Sequence, residues 1–290
     1  MIIVKLFGGL GNQMFQYAFA RCLAYERRVK LKFDLSWFQT QSMRKYMLDR
    51  FNIASEIATP DEITNLTKSN WTSILGRINQ AVQRRLPYYH RLVIEEAHYT
   101  FDPEVFKVGR NALIVGYWQS EKYFLPIHQI IRKEFKLRQS LSHESLNWAK
   151  KIQSCNSISI HIRRGDFVSD TSLDQSLPIS YYQQAMEYLL QHCPDPNFFI
   201  FSDDIPWAYQ NLNIQPPPKF VHFEEKKRDE EELVLMSLCK NHIIANSTFS
   251  WWGAWLSINP RKIVIAPQNW MNDAVTTNDL LPDSWVRIKF

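Results

Sequence analysis

At 290 residues the chain is long enough for one large core or two modest ones, and its 45% hydrophobic and 22% charged residues are an ordinary globular balance. The formal charge of +5, from 34 basic against 29 acidic residues, suits a phosphorylated ligand or an anionic surface; the basic residues are too scattered for a nucleic-acid-binding motif. Four widely spaced cysteines (Cys22, Cys155, Cys193, Cys239) without a CxxC pair speak against a zinc site and a disulfide framework. With no leader at Met1 and no run near the roughly 18 apolar residues of a membrane span, the chain is expected to be cytoplasmic, soluble or membrane-peripheral. The sequons Asn65-Leu-Thr67 and Asn246-Ser-Thr248 then read as chance matches. Ten Trp, 12 Tyr and 18 Phe exceed what a plain metabolic domain needs. Packing is the usual use of such rings, and walls against sugars are the functional one.

In chain order, Ile2 to Phe7 predicts a strand, Gly8-Gly9-Leu10-Gly11-Asn12-Gln13 a glycine-rich turn, and Met14 to Arg28 a helix. That layout can bring backbone N–H groups and a helix N-terminus to an anion. It lacks both the GxGxxG spacing and a Walker Gly-Lys-Ser/Thr, so a tight packing turn is the favoured reading and a ligand-facing loop the other. Val29 to Phe33 is a second strand. Residues 35–110 carry little periodicity, apart from a helix start at Pro60-Asp61-Glu62 and a helix over 71–85. Arg84, Arg85, His90 and Arg91 alternate with Tyr88 and Tyr89, as a solvated edge or a glycan or lipid contact. Ala112 to Gly116 is a strand that exits into Tyr117-Trp118-Gln119, a candidate sugar wall or plain core, before a helix from Phe124 to Phe135.

The second half is more regular. A helix over Leu141 to Gln153 precedes the strand Ser157 to Ile162, and Ser169 to Leu177 is a polar loop. Ser180 caps a helix Tyr181 to His192. Phe198 to Phe201 is a strand, and a helix begins near Ile205-Pro206-Trp207. Phe220 to Phe223 is a strand, Asp229 to Lys240 a helix, His242 to Ala245 a strand, Trp251 to Leu256 a helix and Lys262 to Ala266 a strand. This alternation predicts mostly parallel sheets in an α/β fold of two lobes with a cleft between them.

Three strand ends form a chemical set: His161-Ile-Arg163-Arg164-Gly165-Asp166, Ser202-Asp203-Asp204 and Asn246-Ser247-Thr248-Phe249-Ser250. In a parallel sheet all three reach the carboxyl edge, where open α/β folds bind ligands. The guanidinium groups suit phosphates, a carboxylate can accept from ribose hydroxyls, and hydroxyls at a helix start suit a phosphate or base. The bland readings stand beside these: a local basic pair, a helix cap at Asp203 or Asp204, and His161 as a core histidine. Asp203-Asp204 lacks the spacing of a DxD metal site, so no metal is expected.

These motifs, in this order, resemble glycosyltransferase family 11, the α-1,2-fucosyltransferases in their bacterial form. The resemblance rests on Gly8 to Tyr17, His161 to Asp166, Phe201-Ser-Asp-Asp204 and Asn246 to Trp255. It implies a GT-B type fold, with residues 1–140 as an acceptor-side α/β domain. Residues 141–290 would then be a Rossmann-like domain for GDP-fucose, the last residues free to pack back on the first domain. Further implications are inversion at the fucose anomeric carbon, no cofactor or obligatory metal, and a galactose-terminated glycan or lipid-linked oligosaccharide as acceptor, with peripheral contact to the inner membrane. The expected donor ligands are Gly9, Gly11, Asn12, His161, Arg163, Arg164, Ser202, Asp203, Asp204, Asn246, Ser247, Thr248 and Phe249. Arg163 and Arg164 would meet the leaving group, Arg164 most directly, with Asp166 holding the arginines. No carboxylate stands out as a base, and acceptor choice is expected in 35–110.

Overall fold

The computed structural model describes residues 1–40, 42–53, 55–67, 85–165, 176–212, 214–224, 228–271 and 279–290. The expected helix over 71–85 except its last residue, all but the end of the 169–177 loop, Arg84 and Asp166 lie outside them. The chain is an α/β fold that divides into two compact units, Met1–Arg138 with Asn278–Leu280, and Gln139–Thr277 with Leu281–Phe290.

The first unit is built on five parallel strands: β1 (Ile2–Lys5), β2 (Leu31–Asp34), β3 (Glu56–Ile57), β4 (Val93–Glu95) and β5 (Ala112–Val115). Their order is β3-β2-β1-β5-β4. Helix α1 (Leu10–Arg27) starts four residues before the expected Met14, inside the glycine motif, because Gly9 takes the extended cap conformation and the Gln13 N–H bonds the Gly9 carbonyl at 3.1 Å. From Gln13 to Ala20 it is buried on every face, so it belongs to the core. The shorter helices of this unit are α2 (Ser36–Gln39), α3 (Pro60–Thr67) and α4 (His128–Glu134). The helix expected from Phe124 is instead a 3-10 turn (Leu125–Ile127), with Pro126 in its first positions, followed by α4.

The second unit has six parallel strands: β6 (Asn156–Ile162), β7 (Pro196–Ser202), β8 (Lys219–Phe220), β9 (Asn241–Ile243), β10 (Val264–Pro267) and β11 (Val286–Ile288). The order is β11-β10-β9-β6-β7-β8. Its helices are α5 (His143–Gln153), α6 (Ile179–His192), α7 (Ile205–Asn211), α8 (Asp229–Leu238) and α9 (Thr248–Leu256). Alternation along β6 and β7 supplies both faces of the sheet. Ile158, Ile160, Ile162, Phe198 and Ile200 pack with Tyr181, Ala185 and Leu189 of α6. On the other face Phe199 and Phe201 pack with Ile152 of α5 and with Leu235 and Met236 of α8. The cap of α6 is Pro178, not Ser180: an extended proline carbonyl accepts from the Tyr181 N–H at 3.1 Å, which puts Ser180 inside the first turn. Among the described residues no helix is long and apolar enough to cross a membrane.

Candidate functional site

In the second sheet the strand order reverses between β6 and β9, and such a reversal opens a crevice at the carboxyl ends of the two strands. β6 leaves the sheet into Arg163-Arg164-Gly165, its neighbour β7 into Asp203-Asp204, and β9 toward Asn246-Ser247 and the start of α9. Topology alone brings the three predicted strand ends to one edge.

Asp203 organises that edge. One carboxylate oxygen accepts from the Arg164 backbone N–H at 2.8 Å, and the other pairs with Arg163 Nη1 at 3.0 Å. A Cβ at Gly165 would come within 3.0 Å of that second oxygen, so glycine is what lets the chain turn this tightly past the carboxylate. Asp204 caps α7 by accepting from the Trp207 N–H at 3.1 Å, and its other oxygen lies 3.4 Å from Arg164 Nε. Pro206 in the first turn of α7 fixes where Trp207 emerges, and the Arg164 guanidinium stacks on the Trp207 ring at 4.1 Å. Ser202 Oγ accepts from the Asp204 N–H at 2.9 Å and so fixes the start of this turn. Both arginines are more than half covered, planar and held from behind, which suits an incoming phosphate.

Arginine-holding thus falls to Asp203 and Asp204, which the sequence suggested as ligands; Asp166, expected in that role, lies outside the described residues. His161 is buried in β6 with its ring 5.8 Å from that of Phe249, so these two form one packed pair. Asn246 is buried and donates to the Trp270 carbonyl at 3.5 Å. Ser247 takes the cap position of α9 in extended conformation and Thr248 is its first residue, both partly exposed at the helix N-terminus. Trp207 and Tyr182 were not legible as parts of this site. The Tyr182 phenol is pushed well up by burial and then by the Asp203 charge, with Arg164 opposing.

Gly9, Gly11 and Asn12 lie in the other unit, at the carboxyl end of β1. Gly8 has φ +77°, where a Cβ would strike the Asn12 amide at 2.7 Å. Gln13 and Gln16 are structural: Gln13 bridges the Gly8 and Lys45 carbonyls and the Met47 N–H, while Gln16 accepts from the Phe7 N–H at 3.1 Å. The Asn12 side-chain Oδ1 accepts from Gln119 Nε2 at 3.1 Å, joining the β1 exit to the β5 exit. At that exit Trp118 is buried and Tyr117 half-buried. Glu96, for which no sequence signal was found, accepts from the Tyr117 and Trp118 N–H groups at 2.6 and 2.9 Å. Burial pushes its carboxyl up to about 7 against the pull of those two bonds.

Residues 1–289 match the Glycosyl transferase family 11 pattern. An alpha-1,2-colitosyltransferase of Escherichia coli is 32% identical over 302 residues, covering 100% of this chain and 99% of that protein. The O-antigen biosynthesis glycosyltransferase WbnK of Escherichia coli is 31% identical over 309 residues, covering 98% and 99%. A galactoside alpha-(1,2)-fucosyltransferase 2 of Hylobates lar is 22% identical over 268 residues, covering 89% and 69%. Among solved structures, the fucosyltransferase NodZ from Bradyrhizobium superposes with a TM-score of 0.52 at 14% identity, over 91% of this chain and 94% of that one. The two sheet-centred lobes are accordingly those of a GT-B fold. The chain belongs to glycosyl transferase family 11.

Proposed function

We propose that this glycosyltransferase moves L-fucose from GDP-β-L-fucose, with inversion, to the 2-hydroxyl of a terminal galactose in an oligosaccharide or polysaccharide repeat unit. The carrying observation is the clamped pair Arg163 and Arg164 at the β6/β9 crevice of a chain that matches the family from end to end. In the reaction the acceptor 2-hydroxyl oxygen attacks the fucose anomeric carbon and gives up its proton to solvent, the bond from that carbon to the β-phosphate oxygen breaks, and GDP leaves carrying the bonding electrons. Negative charge grows on that phosphate, and guanidinium groups already fixed in place lower its energy with no reorganisation. Arg164 is the better placed of the two. Its Nε faces Asp204 and its plane lies on Trp207, so the Nη fork is oriented as a unit. Because arginine supplies the positive charge, the reading includes transfer without a divalent metal.

The E. coli relative named as a colitosyltransferase supports a second reading, with GDP-colitose as donor. Colitose is fucose without its 3-hydroxyl, so the two donors offer the arginines the same diphosphate. Incubation of the purified chain with each GDP-sugar and a β-galactoside in excess chelator, followed by linkage analysis, separates the readings. A fucosylated product joined α-1,2 is expected. Transfer of colitose alone shifts the proposal to the second donor, and transfer that appears only with added Mg²⁺ or Mn²⁺ overturns its metal-free part.

A further inference from the structure

Away from the arginines, the first unit holds a cavity of about 230 Å³ beyond the carboxyl ends of β4 and β5. Its wall includes Tyr88, Glu96, Asp102, Phe101, Trp118 and Tyr123. Tyr88 donates to Asp102, and the Tyr123 hydroxyl accepts from the Asp102 N–H at 3.0 Å, so this part of the wall is fixed. Trp118 is only 2% exposed and held in the left-handed region at φ 55°, yet its indole Nε1 has no hydrogen-bond partner among the described residues. A Cβ at Gly116 would sit 2.8 Å from that nitrogen and 3.0 Å from Glu96 Oε2. The glycine therefore keeps open a gap between a buried donor and a carboxyl group.

A ladder of rings runs along the same sheet edge. Trp37 follows β2, Phe7 follows β1, Tyr117 follows β5 and Tyr99 follows β4. Successive centroids are 6.3, 4.9 and 6.3 Å apart, and each ring is part-exposed.

We infer that this cavity binds one hexopyranose ring of the neutral acceptor glycan, with Trp118 Nε1 donating to a ring hydroxyl and Glu96 accepting from another. The inference rests on the proposed transfer to a galactoside and deepens it. A wholly apolar occupant would leave the indole N–H unpaired, at the cost such a buried donor carries. A phosphate would face Glu95, Glu96 and Asp102, all in the lining. A pyranose offers an apolar C–H face to the rings and a rim of hydroxyls to the polar pair. The volume lies below the roughly 300–1,000 Å³ of sites for drug-sized ligands, which fits one ring and leaves the rest of the glycan to the ladder.

The test uses methyl β-D-galactopyranoside as probe on the full chain, with Trp118→Phe, which keeps the ring packing but removes the donor, and Ala97→Trp, which fills the cavity from its exposed lining. Binding is read by saturation-transfer NMR, galactoside KM by transfer assay, and GDP affinity by calorimetry. Each folded variant is expected to weaken the galactoside by at least about tenfold, the size of one lost buried hydrogen bond, while GDP affinity is kept. Galactoside affinity within twofold of wild type in both variants, or no saturable galactoside binding by wild type, overturns the inference. Wild-type galactoside binding that both variants lose, without fucosyl transfer, upholds the cavity while rejecting the reaction.

Discussion

At the carboxyl edge of the second sheet, two guanidinium groups are held by two aspartates and an indole ring. At the same edge of the first sheet, a carboxyl group is held by two backbone N–H groups among aromatic rings. The scaffolds match: parallel strands, a reversal of order beside the first strand of each unit, and a glycine where the chain turns away. The furnishing differs in sign. An edge that presents arginine from behind suits a diphosphate, and one that presents buried carboxyl and indole groups suits hydroxyls. Like topology gives each unit the same kind of edge, and only the side chains tell what chemistry that edge suits.

The largest expected effect breaks the cationic edge. Arg164→Ala should lower kcat for the GDP-sugar by roughly 10²–10³, or about 3–4 kcal/mol, as loss of an oxyanion donor does. Arg164→Lys should restore part of the rate, since it returns charge without the fork. Steady-state kcat and KM on folded variants decide the matter. If Arg163→Ala abolishes turnover while Arg164→Ala stays within about threefold of wild type, the roles are reversed.

The two edge glycines sharpen the contrast. Gly116 has φ +153°, and a Cβ there would overlap that of Glu96, so Gly116→Ala should destabilise the protein by about 2–4 kcal/mol. Gly165 does not need a positive φ, and its Cβ would meet only the Asp203 carboxylate. Gly165→Ala should therefore cost less than about 1 kcal/mol in urea unfolding, while it shifts Asp203 and raises the donor KM several-fold. Equal loss of stability in both variants would show that the two turns carry the same strain. A smaller effect is expected at Trp207. Trp207→Leu removes the ring under Arg164 and should weaken donor binding by about 1 kcal/mol, read as a roughly fivefold rise in KM with kcat nearly kept.

The cationic edge was largely legible in the sequence because its residues are adjacent and each follows a strand that is long or strongly apolar. β6 and β7 have seven residues each, and their alternating pattern marks where they end. The other edge was poorly legible. β3 and β4 have two and three residues, lie at the margins of the first sheet and leave no period to detect. Glu96 follows one of these strands, and its partners Tyr117 and Trp118 are about twenty residues away in sequence. Tyr117-Trp118-Gln119 did stand out, with core and sugar wall as equal readings; in the structure Trp118 buries its ring while Tyr117 keeps part of its own exposed. The Trp251, Trp252 and Trp255 set, part of the family resemblance, is buried packing around Trp285, and Gly253 lets α9 approach Met236 of α8. Much of the aromatic surplus is of this kind.

The finest test of the comparison is pH, because each unit buries one group in its neutral form and the two are of opposite type. Burial raises the Glu96 carboxyl from its ordinary 4.5 to about 7. In the second unit, burial and then Lys262 lower His242 from 6.5 to about 3, with its Nδ1 2.8 Å from Ser159 Oγ. Between about pH 4.5 and 7 the folded chain holds a proton on Glu96 that the unfolded chain has released, so this contribution is present at low pH and lost as pH rises. Between about pH 6.5 and 3 the unfolded chain takes a proton on His242 that the folded chain refuses, so that contribution is present above 6.5 and lost as pH falls. The slopes oppose each other from 4.5 to 6.5, and wild-type stability should vary little there on their account. Single replacement separates them. Relative to Glu96→Gln, wild type should lose stability from pH 5 to pH 7.5; relative to His242→Gln, it should gain stability from pH 4 to pH 6.5. Urea midpoints across this range measure both differences, and a constant offset cancels any packing cost of the replacements. Slopes of the same sign for the two variants, or no slope for either, would mean that the two units do not bury these groups in the neutral forms described.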